Sequence, residues 1–178
     1  MADETNDPGD VARLRAMAHP VRLRIMSLLT AEAMSAAEVA RALGLTHANA
    51  SYHLRVLFDA GELVVESEEK VRGGVAKRYR YVVGGADDRP SHPSTNDDLI
   101  AWQTATHAEV VRRIAGRVRG PSTSSDIETW VSPEAWQQAV TAIADAMVRL
   151  HDEARPPHTE GTIHVSASTQ GFVMGDDA

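Results

Sequence analysis

Residues Met34–Val82 of this 178-residue chain read MSAAEVARALGLTHANASYHLRVLFDAGELVVESEEKVRGGVAKRYRYV. The apolar spacing in the first half indicates two short amphipathic helices with a tight turn at Gly44 between them. An apolar strand, a basic loop that contains glycine and a second strand follow in the second half. This order of elements predicts a winged helix-turn-helix, a fold that places one helix in the major groove of DNA.

Capping residues locate the helices of this fold. Pro20 can open the second helix of the chain, because the N–H that proline lacks has no partner at that position. Ser35 and Glu38 have the spacing of a capping box, so the third helix is predicted to start at Ser35 and to end at Gly44. Thr46 is predicted to cap the fourth helix. The predicted buried face of that helix consists of Ala50, Leu54, Leu57 and Phe58.

The wing and the following linker are also visible in the sequence. Glu62–Ser67 and Val75–Val83 are rich in β-branched and aromatic residues, and Gly73-Gly74 between them predicts a hairpin. Gly84–Asn96 is rich in Gly, Asp, Pro and Ser, which is typical of a linker.

The second half of the chain predicts an extension of mixed structure. A long helix is predicted over Asp97–Arg119, followed by a strand over Ile127–Val131. Ser132 and Pro133 then start another helix. Its apolar residues have spacings of 4, 3, 4 and 3, which is a strong amphipathic signal: Trp136, Val140, Ile143, Met147 and Leu150. A last strand is predicted over Thr162–Ser166.

Together these elements predict a mainly α fold with a small β wing (α+β). We expect a disordered acidic tail over residues 1–10, a winged helix-turn-helix DNA-binding domain over 11–83 and a linker over 84–96. A helical dimerisation region over 97–172, which also offers space for an effector, and a flexible tail over 173–178 complete the chain.

Charge is distributed unevenly along the chain. The net charge is −7, which is unusual for a protein that binds nucleic acid. Residues 11–83, however, hold 11 Lys+Arg against 7 Asp+Glu, a net of +4, whereas residues 84–178 hold 7 against 14, a net of −7. Five basic residues and no acidic one lie between Lys70 and Arg80. Because the local field attracts phosphate, this distribution favours contact between the winged-helix domain and DNA.

Composition excludes several other classes of protein. The chain has no cysteine, so it has neither disulfides nor thiolate metal sites. No apolar run approaches the roughly 18 residues of a membrane span, and the acidic first ten residues do not resemble a secretory signal. We therefore expect a cytoplasmic protein with no membrane partner. No phosphate loop, nucleophile elbow or HExxH motif is present, so we expect no cofactor and no enzymatic activity.

Three stretches, AMAHPVRLRIMSLLT, MSAAEVARALGLTHANASYHLRVLFDAGEL and KRYRYV, resemble the ArsR-type winged-helix repressors of bacteria. The resemblance covers about residues 11–83 and is strongest at His19-Pro20-Val21-Arg22, at Ala40 before Gly44, and at Ser51-Tyr52-His53-Leu54. It implies a DNA-binding repressor. Larger members of the family dimerise through helices outside the winged-helix domain, which implies the same role for residues beyond 84.

The resemblance does not extend to metal sensing. Metal-sensing members carry a cysteine pair on a DNA-binding helix, which is impossible in a chain without cysteine. Others carry a spaced set of Asp, His, His and Glu on the last helix, and Asp97, Asp98, His107 and Glu109 do not reproduce that spacing. We therefore predict no metal site.

The fourth helix and the wing supply the predicted DNA contacts. If the apolar face of the helix is buried, its polar face turns outward with short side chains near the N-terminus, which suits contact with base edges and phosphates. The predicted DNA-binding residues are Thr46, His47, Asn49, Ser51, Tyr52, His53, Arg55, Lys70, Arg72, Lys77 and Arg78. Alternatively, Thr46 acts only as a cap, His53 is a packed histidine and the charged hairpin is a solvated surface.

A single winged-helix domain reads few bases, so we expect a homodimer on an inverted-repeat operator, with recognition helices about 34 Å apart. The Asp97–Arg119 helix is the leading candidate for the dimer contact, with Val11–Ala18 and Trp136–Leu150 as contributors. The alternative function is a winged-helix protein-interaction module within a regulatory complex. Trp102, Trp130 and Trp136 either line a pocket for an apolar small-molecule effector or belong to the core.

Overall fold

The computed structural model describes residues 14–71, 74–82 and 95–175. The predicted acidic tail, the predicted linker up to residue 94, the last three residues of the chain and Arg72 lie outside the described residues. Helix α1 is described over 14–17. The other helices are α2 (Pro20–Leu29), α3 (Ala36–Leu43), α4 (His47–Asp59), α5 (Asn96–Ile114) and α6 (Pro133–Asp152), and the strands are β1 (Met34–Ser35), β2 (Leu63–Val71) and β3 (Gly74–Tyr81).

Local capping sets the ends of α2, α3 and α4. Pro20 occupies the first turn of α2, and the Nδ1 atom of His19 caps that helix by accepting from the Val21 N–H. The Ser35–Glu38 capping box starts α3, and Gly44 ends it with a φ of 66°, in the left-handed region that glycine favours. The Thr46 side chain caps α4. The predicted starts of all three helices are confirmed.

A single apolar core holds the three helices together. It is formed by residues that are at most 7% exposed, from α2, α3, α4 and the start of β2: Ile25, Met26, Leu29, Val39, Ala40, Ala50, Leu54, Leu57 and Leu63. Because side chains separated by three or four positions share one face of a helix, these residues orient α4 with one face inward and one outward.

The buried face of α4 differs from the prediction at two positions. Phe58 is 39% exposed, so its assignment to the core was wrong, and His53 is buried at 5% exposure instead. His53 lies one residue before Leu54 and four before Leu57, within the inward sector of the helix. Phe58 packs at the margin of the core, against the edge of the Tyr79 ring at 5.9 Å.

The three strands form one antiparallel sheet in the order β1–β3–β2. β2 and β3 are the wing hairpin, and both differ by a few residues from the predicted spans. Met34 and Ser35 of β1 pair with Tyr79 and Arg78 of β3. This pairing joins the wing directly to the start of α3. With the three-helix core, it completes a winged helix-turn-helix.

The extension is less regular than predicted. Helix α5 ends at Ile114, five residues before the predicted end. Gly116 follows in a turn, where its N–H donates to the Arg113 carbonyl. Helix α6 is confirmed with Ser132 as its cap. Neither Ile127–Val131 nor Thr162–Ser166 is a strand in this chain, so both predictions were wrong. Neither segment is hydrogen-bonded to a neighbouring strand in the described residues, and an isolated strand is not stable.

Two polar contacts attach α5 to the winged-helix domain. Near its first turn, the buried carboxylate of Asp98 accepts from Arg15 Nε of α1 at 2.7 Å. Near its last turn, Arg113 Nη2 lies 3.3 Å from the Ser27 hydroxyl of α2. The inner side of α5 therefore packs against the chain's own winged-helix domain.

The different burial of neighbouring α4 residues gives a direct test of the core. We expect Leu54→Ala to lower the free energy of unfolding by about 2–5 kcal/mol, because it opens a cavity in the packed core. Phe58→Ala removes a larger side chain but from a partly exposed position, so it should cost clearly less. Urea unfolding followed by circular dichroism measures both, and an equal or larger loss for Phe58→Ala would contradict the packing of α4 described above.

Candidate nucleic-acid interface

The outward face of α4 presents a continuous series of polar side chains. His47, Asn49 and Arg55 are exposed, Ser51 is half-buried, and Tyr52 is 57% exposed. No described element covers this face, because the buried face packs on α2 and α3. Short side chains lie at the first turn and longer ones further along. This arrangement allows the helix N-terminus to approach a groove closely.

The Thr46 hydroxyl has a structural partner. Its Oγ1 accepts from the Asn49 N–H at 3.2 Å, as expected for a helix cap. The residue remains exposed, so its structural role and a contact with phosphate do not exclude each other.

A cluster of three rings, with His53 buried at its centre, lies behind this polar face. The His53 ring is 4.8 Å from the His19 ring and 5.3 Å from the Tyr52 ring, which meets it edge-on. Burial lowers the pKa of His53, and the charges of His19 and Arg22 lower it further. Burial also lowers the pKa of His19, with a smaller contribution from Arg22. The burial of His53 does not support its prediction as a DNA-binding residue; it fits the alternative of a packed histidine, which supports Tyr52 from the inside.

Arg22 of α2 is a neighbour of this face that the list of predicted DNA-binding residues omitted. Its Nη2 donates to the Arg15 carbonyl at 2.9 Å, and its buried Nε has no hydrogen-bond partner. Burial lowers the pKa of Arg22, and the neighbouring Tyr52 opposes that shift. The motif His19-Pro20-Val21-Arg22 was a usable signal, but helical spacing within α2 could not show that it meets α4.

In the wing, two predicted lysines are available to a ligand. Lys70 and Lys77 are exposed on β2 and β3, and Lys77 Nζ lies 6.0 Å from the centre of the Phe58 ring. This distance places Lys77 beside the C-terminal part of α4. The wing and α4 thus contribute positive charge to the same side of the domain.

Arg78 has a different role from the one predicted. Its Nη1 donates to both carboxylate oxygens of Glu38 at 3.1 and 3.0 Å, and its Nη2 donates to the Ala33 carbonyl at 2.6 Å. Hydrogen bonds from Ser35, then from Arg78, hold the pKa of Glu38 below its ordinary value. The guanidinium is therefore committed within the chain, and the prediction that it holds phosphate is not supported by its contacts.

Acidic residues of β2 reduce the charge of the wing. Arg80 Nε pairs with Glu66 at 2.9 Å, and Glu69 lies 3.7 Å from Arg78. Glu68 is paired with Lys77 in the strand register. The run from Lys70 to Arg80 is free of acids in sequence, but the hairpin places three glutamates beside it. Of the predicted wing residues, Lys70 and Lys77 remain described and exposed.

The three tryptophans do not converge on one cavity. Trp102 lines a groove of about 200 Å³ between α5 and the C-terminal segment, together with Thr106, His107 and Gln170. Trp136 is half-buried, and a Cβ atom added at Gly171 would lie 2.9 Å from its Cη2. Trp130 is 90% exposed. Within the described residues, the three tryptophans therefore do not line one shared pocket.

The described residues contain neither a metal-binding group of side chains nor a membrane-spanning helix. No group of three or more His, Asp or Glu side chains in that part of the chain is arranged to hold a metal ion. None of the described helices has the length and apolar character needed to cross a bilayer.

Residues 17–66 match the sequence model of a family described as a helix-turn-helix domain. The matched residues include α2, α3, α4 and the start of β2. Comparison with curated proteins finds no matching sequence. Together with the three-stranded sheet, the match supports a winged helix-turn-helix regulator that binds DNA.

Protonation of His53 and His19 should lower the free energy of unfolding. The pKa values of His53 and His19 are lowered in the folded chain, so the unfolded chain binds more protons just below the ordinary value of about 6.5. The contribution of these two histidines to the free energy of unfolding should therefore be complete above about pH 6.5. It should be lost as the pH falls below that value. Urea titrations from pH 7.5 to 5.5 measure this loss.

His53→Gln should show a smaller loss over the same range, because it removes one of the three histidines, with His19 and His151, whose pKa burial lowers. His47→Gln, at an exposed position of the same helix, serves as the matched control and should keep the wild-type dependence. If His53→Gln retained the full pH dependence, His53 would not be responsible for it.

Proposed function

We propose that this protein is a sequence-specific DNA-binding transcription regulator of the ArsR type, which acts as a cytoplasmic repressor. The observation that carries the proposal is the exposed polar face of α4, which is backed by a buried apolar face and flanked by Lys77 of the wing. This arrangement allows α4 to enter a major groove while the wing approaches the neighbouring backbone.

Residues of α4 divide by position into two roles. His47, Asn49 and Ser51 lie near the helix N-terminus and read base edges. Tyr52 and Arg55 lie further along the exposed face and contact the sugar-phosphate backbone, as do Lys70, Arg72 and Lys77 of the wing. Thr46 positions the first turn through its cap.

The active form in this proposal is a homodimer. Two copies of α4 about 34 Å apart meet successive major grooves on one side of a duplex, so the operator is an inverted repeat. Repression follows if this operator overlaps a promoter. The small groove at Trp102 is where a small-molecule effector acts, by favouring one spacing of the two α4 helices.

The acidity of β2 favours a second candidate function. Glu66, Glu68 and Glu69 lower the attraction of the wing for phosphate. A winged helix with a nearly neutral wing can instead serve as a protein-interaction module. The two functions differ in salt dependence, because only DNA binding releases condensed counterions.

Selection of bound sequences from random duplex DNA tests the proposal. Purified protein at two salt concentrations should enrich a palindromic consensus, and its affinity should fall steeply as salt increases. Enrichment of no sequence, together with a weak salt dependence, would favour the protein-interaction module instead.

Two adjacent wing residues separate DNA contact from structural support. Lys77→Ala should weaken binding to all sequences about equally and reduce the slope of log affinity against log salt by roughly 1, with little change in stability. Arg78→Ala should lower the free energy of unfolding by about 1–2 kcal/mol, because it removes charged hydrogen bonds to Glu38. Fluorescence anisotropy and urea unfolding measure the two effects, and an exchange of these outcomes would reverse the assigned roles.

Substitution within α4 should change sequence preference as well as affinity. Ser51→Ala or His47→Ala should alter which sequences are enriched, because these residues face base edges in the proposed complex. Arg55→Ala is the control at a backbone-contacting position and should retain the wild-type consensus. An unchanged consensus in the first two variants would exclude them from base recognition.

A further inference from the structure

Most exposed large apolar side chains lie in the extension. Of nineteen such residues in the described part of the chain, sixteen lie beyond residue 99. The three others, Tyr52, Phe58 and Val75, belong to the winged-helix domain. The folded winged-helix domain therefore buries most of its large apolar side chains, whereas the extension leaves many of them exposed.

Helix α6 is the clearest case within the extension. It has twenty residues and a strongly apolar stripe, but none of its side chains is buried. Val140, Ile143 and Leu150 of that stripe are 39%, 48% and 48% exposed. A helix of this length usually depends on packing of its apolar face for stability. Its apolar face is therefore incomplete in a single copy of the chain.

Two extended segments beside α6 also expose large apolar side chains. Ile127 and Trp130, before the helix, are 81% and 90% exposed, and Ile163 and Val173, after it, are 84% and 78% exposed. The second segment passes close to the first turns of α6 at Gly171, where a side chain would collide with the Trp136 ring. The ring of His151 lies 5.6 Å from that of Tyr81, so the other end of α6 meets the wing strand β3.

The amount of exposed apolar surface matches that of a protein interface. Twelve of the sixteen residues lie between Ile127 and Met174. At roughly 60–120 Å² of apolar surface for each Val, Ile, Leu, Phe or Met side chain, their exposed fractions correspond to on the order of 600 Å² per chain. A standard interface buries roughly 800 Å² per partner, little more than half of it apolar, so these residues supply the apolar surface that such an interface needs.

We infer that α6 and its two flanking segments, residues 121–131 and 162–175, form the face on which a second copy of this chain docks. The inference rests on the homodimer of the proposed function, and it names the contact surface. It also differs from the expectation drawn from sequence, which placed α5 first. The inner side of α5 packs on the winged-helix domain through Asp98 and Arg113. Its outer side also exposes Ile100, Val111 and Ile114, but α6 and its two flanking segments expose twelve large apolar side chains.

A second copy is the occupant that fits these observations. The surface is mainly aliphatic and aromatic, as in permanent homodimers, whose interfaces resemble a divided core.

A matched pair of charge substitutions on α6 tests the inference. Ile143→Asp should weaken self-association at least about 100-fold in analytical ultracentrifugation, because each dimer would lose two apolar side chains and gain two buried charges. Thr141→Asp is the control, since Thr141 lies on the polar surface of α6 with Glu134, Gln138 and Asp145. It should leave the dissociation constant within a few-fold of wild type.

Fluorescence provides a second measurement that does not depend on a folded Ile143 variant. The difference in acrylamide quenching between wild type and Trp130→Phe reports on Trp130 alone. This signal should be protected at high protein concentration and should become accessible on dilution. Constant accessibility of Trp130 at all concentrations would overturn the inference.

The remaining outcomes separate this surface from the proposed function. If Ile143→Asp stayed dimeric while Ile114→Asp on α5 became monomeric, the α6 surface would be wrong but the homodimer would stand. If the wild-type chain were monomeric at all concentrations, the inference would fail, while selection of DNA sequences would still test DNA binding independently.

Discussion

The ion pair between Glu38 and Arg78 joins the two parts of the winged helix. Glu38 completes the capping box of α3 through Ser35, and the same carboxylate receives two hydrogen bonds from the guanidinium of β3. The second guanidinium nitrogen Nη2 also binds the Ala33 carbonyl. One residue of the middle strand thereby holds the wing against the start of the helix-turn-helix, and the position of Lys77 beside α4 depends on this junction.

The junction between Glu38 and Arg78 lowers the number of basic side chains that the wing can offer to phosphate. A basic residue used inside the domain is not available to phosphate, and Arg80 is similarly paired with Glu66. The wing therefore relies on fewer free cations than the number in its sequence. In the proposed complex, α4 carries most of the recognition, and the wing contributes Lys70, Arg72 and Lys77. Such a division favours reading of bases over strong nonspecific attraction.

His19 and His53 pack behind the exposed polar face of α4. His19 caps α2 and its ring approaches that of His53 on α4, so the same side chain starts one helix and supports another. Tyr52 rests against His53 on the exposed side. Because burial favours the neutral imidazole, acid weakens the packing that orients this surface. The extension contributes at a larger scale: in the proposed homodimer, α6 joins two chains into one functional unit.

Sequence alone determined the parts that depend on neighbouring residues. Pro20 in the first turn of α2 and the caps Ser35, Thr46 and Ser132 act within one turn, so they located four helix starts correctly. The apolar spacing of α6 was equally clear. The family match over residues 17–66 supports the helix-turn-helix predicted from the same signals.

Tertiary structure decided the features that depend on distant residues. Whether His53 or Phe58 is buried depends on what α2 and β3 place against α4, and both residues lie near the boundary of its apolar face. Whether Arg78 meets phosphate or Glu38 depends on a contact between residues 40 positions apart, which the pairing of β1 with β3 brings together. The segments near Ile127 and Thr162 have strand-like sequences but no strand partner in the part of the chain that the structure describes. A strand's backbone hydrogen bonds come from another segment, which local sequence does not reveal. Local sequence can predict a helix, which bonds to itself, but not the contacts that a side chain or a strand makes far along the chain.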